Sequence, residues 1–436
     1  MFAAALLAFP AGAGERQLED GPAPKSAREI KTPIQRMTPK APAERPTLLP
    51  WLSEPLEKLP PFFADSRLEA RFRTYYLRED PTDGVLSEAW AMGGSIAYRS
   101  GWLADLFSVE LEGFTSQPIV APEDRDGTEL LEPGQNGYSV LGIANGKLRY
   151  KGFVLTGGRQ YLDLPYVNRD DHRMTPNTFE ALSLEKPEGR VTLAAGYAWN
   201  IKERNSDEFV SFAKDAGADA NRGFAYGGLL WDPNEDFHFG VFTGVVPDVK
   251  GGVYTELGVV RDLTDSWEAR FDGQFNYKFA VGDKLLGDGL DDTWNLGVRA
   301  AVSQNDAVLR LGFGISGPDA QDRDDFGVSP LYVDLMQRTF NRPDEKVLLA
   351  SASYDFEGIG IQGLSGIVTF AAGFDGKVDG GHSDAQELDV TIDYRLKQGW
   401  LESFWLRVRG SWLHDELSES DGTEIRVVLR YDLPVI

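Results

Sequence analysis

No cysteine occurs among the 436 residues, which excludes disulfide frameworks and thiolate metal sites. No apolar run reaches eighteen residues, so the chain offers no helix suited to crossing a membrane. Positive charge is in short supply: 44 Lys and Arg face 68 Asp and Glu, for a formal net charge of -24. A nucleic-acid partner would need a basic footprint, so that class is excluded. Histidine is rarer still. His172, His238, His382 and His414 are all there are, and neither a G-x-S-x-G elbow nor an H-E-x-x-H pair is present. His414 and Asp415 are adjacent, and neighbours on a strand point to opposite faces, so they make no base and orienter. The four read as isolated surface histidines. No catalytic residue, resident metal or cofactor is expected, and the chain reads as a non-enzyme.

What the chain has in quantity is alternation. The stretch ELDVTIDYRLK puts Glu387, Asp389, Thr391, Asp393, Arg395 and Lys397 on one side, with Leu388, Val390, Ile392, Tyr394 and Leu396 on the other. A period of two belongs to an extended strand with unlike faces. RLEARFRTYY sets Arg67, Glu69, Arg71 and Arg73 against Leu68, Ala70, Phe72 and Thr74. SWEARFDGQFNYKF, TEIRVVLRYD and VTLAAGYAWNIK repeat the pattern, the last with Val191, Leu193, Tyr197, Trp199 and Ile201 on its apolar face. Roughly eighteen such segments of about ten residues follow Arg67, the length expected of strands crossing an outer membrane. Trp199, Trp267, Tyr277, Trp412 and Tyr431 fall near strand ends on apolar faces, as in interfacial aromatic girdles.

The connections sort by length. Odd-numbered links are mostly long and polar, such as PIVAPEDRDGTELLEPGQNG, KERNSDEFVSFAKDAGADANRG and GPDAQDRDDFGVSPLYVDLMQRTFNRPDEK. Even-numbered links are tight turns, KPEG, DPNED, DLTD and QNDA. Long loops at one end and short turns at the other predict an all-β, transmembrane, antiparallel up-and-down β-barrel over 66–436 in a bacterial outer membrane. Its partners are then outer-membrane lipid and lipopolysaccharide, small solutes, and the barrel-assembly machinery during biogenesis. Ahead of the barrel, residues 1–14 end on Ala11-Gly12-Ala13 and read as an export signal without its basic start. Residues 15–65 are proline-rich and read as a periplasmic tail or linker, with LLPWLSEPLEKL able to form a short amphipathic helix.

Two blocks carry a resemblance. FADSRLEARFRTYYLRED followed by EAWAMGGSIAYRSGWLADLFSVELEGF forms one. The other is LTGGRQYLDLPYVNRDDHRMTPNTFEALSLE, with an Arg-x-x-Pro-x-Thr pattern at Arg173, Met174, Thr175, Pro176, Asn177 and Thr178. Over residues 62–200 the chain resembles the OprD-type family of substrate-selective outer-membrane porins. The resemblance implies an 18-stranded monomeric channel, narrowed by a loop folded into the pore, with a ladder of arginines guiding carboxylated solutes. Composition leaves a trimer open. The chain departs from the family in ending LRYDLPVI, without a terminal aromatic residue, and in the length of its leading tail.

Strand parity places Arg71, Arg73, Lys147, Arg149, Arg270, Arg299, Arg310, Arg395, Arg407, Arg409, Arg426 and Arg430 toward the lumen. Closure of the first strand on the last would gather Arg71, Arg73, Arg407, Arg409, Arg426 and Arg430 on one wall. Such a wall suits carboxylates, which guanidinium binds bidentately; ordinary Arg-acid filling of the lumen is the competing reading. The inward loop would bring Asp163, Tyr166, Asp170, Asp171 and Arg173. Arg159 joins them only if Gly157-Gly158 bends its strand, since parity from Leu155 points it outward. The acidic loops PEDRDGTELLEPG and DRDDFGVSPLYV lack a full EF-hand ligand set. A solute channel is the favoured function. A polysaccharide-conducting or export barrel would need long periplasmic gating turns, and a barrel enzyme would need a reactive rim constellation.

Overall fold

The computed structural model describes residues 23–37, 49, 51, 55–56, 58–82, 84–187, 189–287, 292–319, 325–378, 381–399, 401–416 and 421–436. The export signal expected over 1–14 lies outside the described residues, as do residues 320–324 of the second acidic loop. The expected short helix over 48–59 lies only partly within them; Trp51, Pro55 and Leu56 are helical.

Eighteen strands form the barrel. The first nine are β1 (Arg67–Pro81), β2 (Ser87–Arg99), β3 (Phe107–Val120), β4 (Tyr138–Tyr150), β5 (Phe153–Gln160), β6 (Thr178–Lys186), β7 (Val191–Lys202), β8 (Phe224–Asn234) and β9 (Phe237–Val246). The rest are β10 (Lys250–Asp262), β11 (Trp267–Ala280), β12 (Thr293–Gln304), β13 (Ala307–Ser316), β14 (Lys346–Asp355), β15 (Leu364–Val378), β16 (Gly381–Arg395), β17 (Phe404–Asp415) and β18 (Gly422–Pro434). Each pairs antiparallel with its sequence neighbours, and β1 pairs with β18, so the sheet closes with no edge. A further two-residue strand, Val210–Ser211, joins the end of β7 from the following loop. The even strand count brings both barrel ends to the short-turn side, where Val435 N donates to Leu68 O at 2.8 Å.

The two faces separate as the alternation requires. On β1, Phe72 is 57% exposed toward lipid while Arg73, Tyr75 and Leu77 are buried inward. On β16, Ile392 is 49% exposed and Tyr394 also faces out, with Glu387, Asp389, Thr391 and Asp393 buried on the lumen side. Trp231, Trp267 and Tyr431 stand near the short-turn ends of their strands, and Trp90, Trp199, Tyr277 and Trp412 near the long-loop ends. Close approach of β1 to β2 depends on glycine: Gly94 has φ +134°, and a Cβ there would lie 1.8 Å from Arg71 O.

Two expectations need correction. Ile201 does not continue the apolar outer face of β7. A bulge pairs Glu180 with Asn200 but Ala181 with Ala198, so parity flips and Ile201 is buried inside. The stretch 15–65 is not a tail throughout. Residues 23–37 pack within the barrel, with Ala27, Thr32 and Ile34 fully buried against inward-facing wall residues. Proline blocks a ladder strand there but leaves two short 3-10 turns, Ala27–Glu29 and Ile34–Met37.

Candidate functional site

At the closure of the barrel, β17, β18 and β1 stand side by side, and their inward positions carry arginine. Register sets Arg73 opposite Arg430 and Leu77 opposite Arg426. It also sets Arg409 opposite Arg426 and Arg407 opposite Val428. From the level of Arg71 to that of Arg426 is six residues of β1, about 20 Å of strand. All six arginines expected on this wall are therefore on it, as one column. Arg407, Arg409 and Arg426 are each 1% exposed, enclosed by their neighbours.

The column is not a bare positive strip. Asp432 takes Arg71 Nε at 2.9 Å and Arg430 Nη2 at 2.9 Å. Asp393 takes Arg407 through both oxygens, at 2.7 and 2.8 Å. Glu424 pairs with Arg426, and Arg409 Nε donates to Thr391 Oγ1 at 3.0 Å. Both readings of the arginines thus have a physical basis: guanidiniums line the wall, and acids interleave them. Trp405 sits among them, on the face that strand parity shares with Arg407 and Arg409, and a reading of charged positions alone passes it over. Its ring lies 4.2 Å from Arg395, 4.6 Å from Arg407 and 5.8 Å from Arg430, and its Nε1 donates to Asp393 at 2.7 Å.

The loop of residues 161–177, between β5 and β6, folds inward onto this column. Arg73 Nη1 and Nη2 hold the two oxygens of Asp171 at 2.7 and 2.9 Å. Burial works to raise the Asp171 carboxyl, and the Arg73 guanidinium outweighs it, holding the group below the ordinary carboxylate range. The Arg-x-x-Pro-x-Thr residues anchor the loop. Arg173 donates to Thr128 O at 2.8 Å and Glu79 Oε1 at 3.4 Å, and Thr175 donates to Arg204 O at 2.9 Å. Asp170 is paired with Arg204 and His172, Asp163 with Arg169 at 3.0 Å, and the Tyr166 hydroxyl donates to Asn276.

A second inward loop was not anticipated. Residues 325–345, between β13 and β14, carry buried Leu331, Val333, Leu335 and Phe340 into the lumen. Backbone N–H groups of Met336, Gln337 and Arg338 donate to Asp389 at 3.0 Å and to Glu387 at 2.7 and 3.1 Å. Arg426 Nη2 donates to Met336 O at 3.3 Å, so this loop also touches the column. The two loops join: Asn168 N donates to Phe326 O at 3.1 Å and Phe326 N to Tyr166 O at 3.0 Å. The apolar run PLYVDLM inside an otherwise polar loop was the available signal. It is masked by the default that long loops stay in solvent.

The other charged positions scatter. Arg270 and Arg299 clamp Asp272 at 2.7 and 2.8 Å on the opposite wall, and Arg310 donates to Ser351 at 2.7 Å. Lys147 pairs with Glu110 at 2.8 Å. Arg149 sits at the short-turn rim, over Trp102 at 4.2 Å and paired with Asp105, rather than at the constriction. Arg159 does not belong to the constriction loop. It stays in β5 and faces outward to Glu180 at 3.0 Å and over Phe209 at 4.1 Å, because Gly157-Gly158 leaves its parity unchanged. The histidines divide as well. His382 and His414 are exposed, but His172 is buried in the first loop and His238 in the lumen. Among the described residues no three His, Asp or Glu side chains are placed to hold a metal.

The comparisons agree with this architecture. The sequence pattern of the outer membrane porins of the OprD family matches residues 60–435. The barrel is similar to OpdG of Pseudomonas aeruginosa, at 25% identity and TM-score 0.80, over 86% of this chain and 100% of that one. It is similar to OpdK of Pseudomonas aeruginosa, solved with vanillate, at 23% identity and TM-score 0.76 over the same shares. A BenF-like porin of Pseudomonas fluorescens superposes with TM-score 0.80 at 18% identity, again over 86% and 100% of the two chains. No curated protein matches the sequence. The chain belongs to the OprD family of outer-membrane porins, substrate-specific channels of the Gram-negative outer membrane.

Proposed function

We propose that this channel conducts small carboxylated solutes, such as amino acids, small organic acids or peptides, by passive diffusion along the arginine column. The observation that carries the reading is the alignment of Arg71, Arg73, Arg430, Arg407, Arg409 and Arg426 on three neighbouring strands, over about 20 Å of wall. A solute carboxylate exchanges from one guanidinium to the next, competing at each step with the resident acid, so binding is weak and repeated. That is the condition for selectivity without trapping. OpdK was solved with vanillate, itself a carboxylate, which supports the same class here. Asp170 and Asp171 are taken up by internal pairs, so they are not the contact for a solute's cationic end. The working unit is a single barrel inserted in outer-membrane lipid.

Planar-bilayer recording of Arg73→Ser/Arg426→Ser tests the reading. Reversal potentials in a salt gradient should move toward cation preference, and liposome uptake of a carboxylated solute should fall severalfold. Heat-modifiable gel migration should stay that of a folded barrel. Unchanged selectivity and uptake in a folded double variant would leave the arginines as lumen filling.

A further inference from the structure

Residues 23–37 enter the lumen from the short-turn end, and their contacts trace the path. At the rim, Lys25 pairs with Asp355 at 2.7 Å and Glu357 at 3.2 Å. Arg28 reaches Asp236 at 2.9 Å and Asp262 at 2.8 Å, in and beside the turns after β8 and β10. Ala27 N donates to the inward Ser303 Oγ of β12 at 2.9 Å. Deeper, Thr32 and Ile34 are both 0% exposed and share one carboxylate, Glu256 of β10. The Thr32 hydroxyl donates to one oxygen, and Ile34 N donates to the other at 3.1 Å. The wall is shaped for this guest. Gly240 of β9 faces Ile34, and a Cβ there would lie 2.7 Å from Ile34 Cδ1. Ile34 also packs in one apolar cluster with Leu162 and Leu164 of the first inward loop. The segment therefore runs from the rim to the constriction.

We infer that residues 23–37 are a tethered plug: they occupy the periplasmic half of the conduction path and leave it when solute passes. The manner of attachment points to a removable guest. The segment sits as two short 3-10 turns, not as an added strand sharing the barrel's ladder. Its outer fastening is a set of ion pairs: Lys25 holds the buried Asp355 and the part-exposed Glu357, and Arg28 holds Asp236 and Asp262, which are open to solvent. Salt screens the exposed pairs; the Debye length falls from about 8 Å at 0.15 M to about 3 Å at 1 M. Its inner fastening is Ile34 in a glycine notch, Ile30 beside Ala301 and Val308, and hydrogen bonds to the Glu256 carboxylate and from Arg270 to Gln35 Oε1 at 2.9 Å. The inference goes beyond the carboxylate reading and does not depend on it, since it concerns how much passes rather than which ion.

The chain's lack of cysteine makes the test direct. Ala27→Cys/Ser303→Cys, oxidised, should pin the segment in place and hold single-channel conductance at its lowest level. Reduction should restore openings. Deletion of residues 23–37 should raise mean conductance severalfold, and Lys25→Glu/Arg28→Glu should raise it in the same direction without shortening the chain. Reversal potentials report selectivity separately, so a failure of the arginine column would show there and not in these ratios. Equal conductance in the oxidised and reduced forms of the crosslinked variant would overturn the plug, as would a charge-reversed variant that conducts like the parent.

Discussion

The lumen has two walls built on different chemistry, and the inward loops dock on both. Strands β16–β18 and β1 present Asp393, Arg407, Arg409, Arg426 and Arg73 inward, and the loops meet them through Asp171 and the backbone of Met336–Arg338. Strands β6–β10 present Phe179, Phe224, Tyr226, Phe242 and Tyr254 instead. There the loops arrive as rings, joined by Phe212 of the connection 203–223 between β7 and β8: Phe212 lies 4.6 Å from Phe326 and 5.6 Å from Phe224, and Tyr166 lies 5.8 Å from Phe242. A porin interior is commonly wet and polar, so a lumen wall of packed aromatics is the part that needs a reason. The loops supply one. Aromatic docking is indifferent to salt, so it fixes the loops to one side while the ionic side stays responsive to charged solute.

The largest losses follow removal of the group at the centre of each kind of docking. Arg407→Ala leaves Asp393 buried beside Trp405 without its guanidinium, a loss of about 3–5 kcal/mol. Phe212→Ala opens a cavity between three rings, also about 3–5 kcal/mol. The two should part company on repair. Arg407→Met/Asp393→Leu should recover most of the stability, because a buried ion pair replaced whole by apolar groups is near neutral. No charge change should rescue Phe212→Ala. Urea unfolding of the barrel in lipid vesicles measures all three, and recovery by charge substitution on the aromatic side would erase the distinction.

The two walls were not equally legible in the sequence. On the ionic wall the outer residues are apolar and the inner ones charged, so TEIRVVLRYD and ELDVTIDYRLK show their period openly. On the aromatic wall both faces are apolar: FAYGGLLW in β8 has Tyr226 and Leu230 inside with Trp231 outside, and no period separates them. The pairings that matter most join distant parts of the chain, Arg73 to Asp171 and Glu256 to Thr32. Spacing along one sequence does not encode them. The bulge at Trp199 flipped Ile201 for a similar reason, since one extra residue on one strand is visible only against its partner.

The outer surface of the ionic wall gives the next effect in size. Ile392 faces lipid and Asp393 faces the lumen one residue on. Arginine at Ile392, three residues from the short-turn end of β16, should cost less in vesicle unfolding than the about 2–4 kcal/mol of a midplane site. Arginine at Asp393 should instead disturb the column and shift reversal potential. If both substitutions perturb stability alike with no change in selectivity, the assignment of faces on β16 is wrong.

The smallest effect comes through pH. Asp171 is held below the ordinary carboxylate range by Arg73, against the opposing pull of burial, and the Arg71 and Arg430 charges add to the hold. A carboxyl lowered in the docked state contributes its stabilisation fully above its ordinary value, about 4. That contribution is lost as pH falls through the lowered value. Between pH 7 and pH 5 the first loop should therefore stay docked on the ionic wall. Below about pH 4 its ionic attachment weakens while its aromatic attachment does not. Pepsin, active in that range, offers the measurement: cleavage within residues 161–177 should accelerate as pH falls in the parent. Asp171→Asn should cleave faster at the upper end of that range and depend less on pH. Cleavage in the parent that is flat with pH would mean that the aromatic wall alone holds the loop.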